Sequence, residues 1–94
     1  MANILKVIVE KPTEKRLIDL GVKSWPIWTK EVSTFDWQYD EQEICLFLDG
    51  DVTVKTPFET VSFGKSDLVT FPKGLSCTWH VKKAVRKHYK FGDA

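Results

Sequence analysis

The chain has 94 residues, 43% of them hydrophobic and 29% charged, with a formal net charge of +1. That is room for one domain spanning residues 1–94 and one modest core, and it carries no charge excess of the kind that draws a protein to nucleic acid or an anionic membrane. No apolar stretch approaches the ~20 residues of a membrane helix, and Met1-Ala2-Asn3-Ile4-Leu5-Lys6 lacks the layout of a signal peptide, so the chain reads as a complete cytoplasmic protein without nucleic-acid or membrane partners.

Ile4 to Val9 alternates as a strand, and Lys11-Pro12-Thr13 breaks it. Thr13 to Leu20 is the one helical stretch: Leu17, Ile18 and Leu20 form an apolar stripe, and Gly21 stands where a helix ends. Trp25 to Val32 is a strand interrupted by Pro26, hence an edge strand. Thr34 to Tyr39 and Glu43 to Leu48 follow, and Asp49-Gly50 is a hairpin-turn signal. Asp51 to Thr56, Thr60 to Phe63, Asp67 to Phe71, Leu75 to Val81 and Val85 to Phe91 complete about nine short strands at regular spacing, the pattern of an all-β sandwich or barrel.

Glu43-Ile44-Cys45-Leu46-Phe47-Leu48 is apolar on both faces after its first residue. A strand with one wet face alternates, so Ile44, Leu46 and Leu48 need a cover, either the N-terminal segment or a second subunit. An apolar face left open marks an interface, and a homodimer is the expectation. Cys45 and Cys77 lie within strands of a chain without a secretory signal and read as buried free thiols.

The centre of the chain resembles the cupins, which carry two short motifs, G-x5-H-x-H-x(3,4)-E-x6-G and G-x5-P-x-G-x2-H-x3-N. Glu43 and Gly50 match the end of the first; Ser66, Pro72, Gly74 and Cys77 fall on the G, P, G and H of the second, with Asp67 after the first of these. Trp25-Pro26, Phe35-Asp36-Trp37, Phe71-Pro72-Lys73-Gly74 and Arg86-Lys87-His88-Tyr89 are similar to short single-domain cupins grouped with the ureidoglycine aminohydrolase-like family. The resemblance covers nearly the whole chain. It implies a small barrel, or jelly roll, of two packed antiparallel sheets with a short N-terminal helix. For activity it implies hydrolase or lyase chemistry on a small polar metabolite bound inside the barrel; the alternative is a non-catalytic binding or interaction module that keeps the shell.

Metal-binding members use three His and one Glu. Here the His positions hold Trp37 and Tyr39, or Asp36 and Gln38 in the other frame, and Cys77. Phe35, Trp37 and Tyr39 share one strand face and Asp36, Gln38 and Asp40 the other. With the aromatic face inward, only Glu43 and Cys77 remain as ligands, too few for a tightly held divalent ion, and no cofactor is expected. The rival frame leaves Asp36, Gln38, Glu43 and Cys77 as a workable set.

Glu43 is the sharpest candidate for catalysis. A carboxylate pointing into a barrel is poorly solvated, which suits a general acid or base; a structural role, bonded to Tyr39 or an indole N–H, weighs equally. If unpaired, its charge is a cost, and Glu43→Gln stabilises the fold by about 1 kcal/mol. His88 is its candidate partner if it faces inward; if Tyr89 faces inward instead, that pairing fails. Trp37, Tyr39, Cys77 and Trp79 are the candidate binding residues, an aromatic wall of the kind found in small-molecule pockets and equally in barrel cores. His80 alternates away from Cys77 and Trp79 and faces outward. The basic run Lys82, Lys83, Arg86, Lys87 and Lys90 reads as a solvated edge.

Overall fold

The structure, a computed structural model, describes residues 5–92. Seven strands and one helix are present among them: β1 (Ile8–Glu10), α1 (Glu14–Leu20), β2 (Ile27–Lys30), β3 (Ser33–Gln38), β4 (Glu43–Lys55), β5 (Thr60–Gly64), β6 (Leu68–Phe71) and β7 (Ser76–Phe91), with a single 3-10 turn at Val22–Ser24. All pairings are antiparallel. Strands β4 and β7 form the spine. The first half of β4 and the second half of β7 carry β6, β1 and β2; the second half of β4 and the first half of β7 carry β5 and β3. The two halves fold over one another as the two layers of a small barrel, and β2 lies at an edge, as Pro26 requires.

Two turns expected from the sequence are absent. Asp49-Gly50 closes no hairpin, because β4 runs through it, and the β4–β7 register shifts at Phe47/Asp49, Asp49/Asp51 and Asp51/Val52. This is a bulged corner, where a strand leaves one layer for the other. Gly50 has φ 129, and a Cβ there would stand 2.9 Å from Val85 Cγ2, so glycine serves the bend rather than a reversal. The strands expected at Leu75–Val81 and Val85–Phe91 are likewise one strand, β7. Two bends in long strands mimic turns at sequence level, which is why about nine short strands are seven. Of the first expected strand, Ile8 and Val9 pair with β6; residues 1–4 lie outside the described residues.

Helix α1 starts where its chemistry dictates. Thr13 accepts a hydrogen bond from the Arg16 amide, and Gly21 ends the helix in the left-handed conformation, φ 67. The chain then lays Val22 and Trp25 over Ile44 and Leu68, with Leu17, Leu20 and Leu46 at the margin. The N-terminal segment therefore covers Ile44 and flanks Leu46, while Leu48 lies outside that cluster and is half-buried.

The inner cluster joins both layers: Tyr39, Cys45, Phe47, Val52, Val54, Phe63, Val69, Phe71, Cys77, Trp79 and Val81 are buried together. Tyr39 stacks on Phe71 with ring centres 4.8 Å apart, and Phe63 and Phe71 meet Trp79 at 5.9 and 5.6 Å. Offset and edge contacts of this kind add to the hydrophobic gain. Tyr39 is held by backbone bonds to the turn after β6, its amide donating to the Leu75 carbonyl and its carbonyl accepting from Gly74.

Candidate functional site

The β4–β7 register sets Glu43 against Phe91, Cys45 against Tyr89 and Phe47 against Lys87. Side chains alternate along a strand, so Glu43, Cys45 and Phe47 on one strand, and Lys87, Tyr89 and Phe91 on the other, face the interior together. Lys87 reaches back to the carboxylate: its Nζ donates to Glu43 Oε2 at 2.7 Å and to Cys45 Sγ at 3.2 Å, and the Cys45 thiol donates to the same Oε2 at 2.8 Å. Both charged side chains are 5% exposed. The ammonium also lies 4.8 Å from the ring centre of Trp28 and 4.9 Å from that of Trp79, with Phe47 and Phe71 at 5.7 and 5.9 Å. It sits in an aromatic cage with one carboxylate, where ring quadrupoles replace part of its lost hydration.

Above this pair opens a cavity of about 220 Å³ lined by Trp28, Phe35, Trp37, Tyr39, Glu43, Trp79, Lys87, Tyr89 and Phe91. Its walls are aromatic and its polar groups few. Both contacts to Glu43 fall on Oε2, so Oε1 has no hydrogen-bond partner among the described residues. The Trp79 indole nitrogen is buried, without a hydrogen bond of good geometry among them, and lies close enough to the Cys77 thiol and the Tyr39 hydroxyl to act on both.

Burial alone would lower the pKa of Lys87, but the neighbouring Cys45 and Glu43 outweigh it and the pKa is raised. Burial pushes the Cys45 thiol well above its ordinary value, against the pull of Lys87. It pushes Cys77 up to about 11 and raises Tyr39 as well, the Trp79 N–H opposing the shift in both and Glu43 adding to it. At neutral pH Lys87 is therefore an ammonium, Cys45 and Cys77 are thiols and Tyr39 is a phenol.

The sequence candidates divide sharply. Glu43, Tyr39 and Trp79 line the cavity. Trp37 lines it too, but is 49% exposed, so it stands at the mouth rather than inside, edge-on to Tyr39. Cys77 is buried in the inner cluster and is not among the cavity-lining residues. His88 is misplaced as a catalytic partner of Glu43. It pairs with Leu46 on the outer face, and its Nδ1 lies 2.9 Å from the Trp25 carbonyl oxygen, while Tyr89 takes the inward position. His80 faces outward beside Thr34. Neither Tyr39 nor an indole is a bonded partner of Glu43 among the described residues; its partners are Lys87 and Cys45.

Lys87 is the residue that the sequence reading missed. Lys82, Lys83, Arg86 and Lys90 are exposed as a solvated edge should be, and Lys87 is not. The available signal is period two: Val85, Lys87, Tyr89 and Phe91 form an apolar face with a single lysine in it, while Arg86, His88 and Lys90 form the polar face.

The residues present do not fit the metal that many cupins carry. Asp36 and Gln38 lie on the outer face, Asp36 accepting from the Thr78 hydroxyl, so the four-ligand set with Glu43 and Cys77 is not assembled. Glu43 already faces a cation, and Cys77 holds its proton. Among the described residues no three His, Cys, Asp or Glu side chains are placed to share a metal ion. Two other motif positions serve the shell. Asp67 is buried and accepts from the Gly64 amide and from Lys11, and Ser66, at a glycine position of the motif, has φ 75, a conformation glycine adopts at less cost.

Comparison with known proteins agrees with this shell. The EutQ-like cupin domain matches residues 17–89. A DUF861-family protein from Thermotoga maritima is 53% identical, with a TM-score of 0.89 over 92% of this chain and 99% of that one. The EutQ protein of Clostridium difficile and a putative ethanolamine utilization protein Q of Salmonella typhimurium are each 26% identical, with TM-scores of 0.65 and 0.64 over 72% and 70% of this chain. This chain spans about half the length of either, 54% in both cases. No curated protein matches, and no helix among the described residues is long and apolar enough to cross a membrane. The matches are to EutQ-like and DUF861 cupins rather than to ureidoglycine aminohydrolases in particular, and the chain belongs to the EutQ-like cupin family.

Proposed function

We propose that this cupin binds a small molecule in its barrel cavity and does so without a metal ion. The observation that carries the reading is the cavity floor: a buried Lys87–Glu43 pair beneath aromatic walls, with Glu43 Oε1 unpartnered among the described residues. A filled barrel would have favoured a shell kept only for interaction; a concave, largely apolar site with a few convergent polar groups is the form small-molecule sites take.

Hydrolase or lyase chemistry, implied by the resemblance to ureidoglycine aminohydrolase-like cupins, is the second reading. One feature favours it: a carboxylate oxygen without a partner among the described residues stands beside a buried ammonium, charged groups placed to orient a substrate and to stabilise charge that develops on it.

The four tryptophans provide the test. Trp28, Trp37 and Trp79 line the cavity, whereas Trp25 packs in the outer cluster. In ¹H–¹⁵N spectra recorded against a panel of single-ring aromatic and heteroaromatic fragments, binding should move the Trp28 and Trp79 indole signals and leave Trp25 in place. If no fragment moves them at its solubility limit, or if all four move together, the cavity is not a binding site.

A further inference from the structure

The cavity's charge arrangement reaches beyond binding as such to the class of ligand. This step rests on the cavity being the binding site. The two formal charges that reach its surface, Lys87 and Glu43, are paired at 2.7 Å and 5% exposed, so the floor carries no net charge. Each partner still has capacity. An ammonium has three donors, of which the described residues take two, at Glu43 and Cys45. The carboxylate keeps Oε1. Around them the walls are the flat faces of aromatic rings.

A charged ligand entering here would have to be stripped of water and would leave one charge unbalanced among aromatic walls, a costly arrangement in a low-dielectric interior. A flat, uncharged group that both accepts and donates would meet Lys87 with its acceptor and Glu43 Oε1 with its donor, leaving the ion pair intact. We infer that the cavity selects uncharged, planar ligands bearing adjacent hydrogen-bond acceptor and donor atoms, such as a carboxamide on an aromatic ring or a lactam within a heteroaromatic one, and discriminates against carboxylates and cations of the same shape.

Benzamide, benzoate and benzamidinium test this directly, since they share one ring and one planar substituent and differ in charge. Titrated against the parent protein at neutral pH, with the Trp28 and Trp79 indole signals as readout, benzamide should bind at least about tenfold more tightly than either ion. Benzoate or benzamidinium binding as well as benzamide would overturn the selection rule and leave the cavity reading standing; silence from all three would sink both. The variants add an arm that a merely structural pair would not move. Glu43→Gln leaves Lys87 as a lone cation, and preference should shift to benzoate. Lys87→Met leaves Glu43 as a lone anion, and preference should shift to benzamidinium. An unchanged ranking in a variant shown to be folded by circular dichroism would also overturn the inference. The parent comparison decides it even where a variant does not fold.

Discussion

Glu43→Gln is the most searching perturbation, because the pairing seen in the structure reverses its sign. An unpaired buried carboxylate would be relieved by the change. Here the carboxylate is the counter-charge of a lysine that is itself 5% exposed. Gln keeps the size and one acceptor for the Lys87 and Cys45 donors, but it strands the ammonium. Removing one partner of a buried ion pair costs about 3–5 kcal/mol. The cation–π contacts with Trp28 and Trp79 remain and are worth ~2 kcal/mol when desolvated, which favours the lower end, about 3 kcal/mol. For a domain of this size that lowers Tm by roughly 12–24 °C. Replacing both groups together, Glu43→Leu with Lys87→Met, should recover most of the loss, since an apolar pair of similar volume does as well as a buried ion pair. Urea unfolding of the parent, Glu43→Leu, Lys87→Met and their double variant at pH 7 gives the cycle, with Glu43→Gln measured beside them. A Glu43→Gln variant within about 1 kcal/mol of the parent, or more stable than it, would refute the reasoning.

Three further outcomes follow from the geometry. Lys87, Cys45, Cys77 and Tyr39 all have folded pKa values raised above their ordinary ones, so the fold binds more protons than the unfolded chain once pH passes the unfolded thiol value of about 8.5. Stability should be full below that pH and fall progressively as pH rises, through about 11 for Cys77; urea midpoints flat from pH 8 to 11 would contradict it. Ser66→Gly should stabilise by about 0.5–1 kcal/mol in thermal melts, because the left-handed φ of 75 strains a residue with a Cβ, and a loss of stability there would show that the serine hydroxyl outweighs the strain. Gly50→Ala should cost about 2–3 kcal/mol, combining the strain of φ 129 with a Cβ 2.9 Å from Val85 Cγ2; a neutral result would mean that the β4 corner can shift.

Much of the shell can be read locally. The helix is written in Thr13 and Gly21, the strand alternation in Val52 and Val54, the edge position of β2 in Pro26, and the need for a cover in Ile44 and Leu46, because each depends on residues a few positions apart. The metal motif's loss is equally plain in a chain with tryptophan, tyrosine and cysteine where histidines would stand. What lies beyond local reading is whatever depends on register between distant strands. Asp49-Gly50 has the composition of a hairpin, and only the continuous pairing of β4 with β7 makes it a bend. His88 and Tyr89 are adjacent, and a choice of one face over the other exchanges every side chain on the strand; the shifts at the β4 corner set that choice. Lys87 sits among basic neighbours that do face water, and its ion pair with Glu43 joins residues 44 apart in sequence. Charge type and spacing determined which residues this protein has to work with. Tertiary register decided that one lysine would turn inward, meet the carboxylate, and make of two charges a neutral floor.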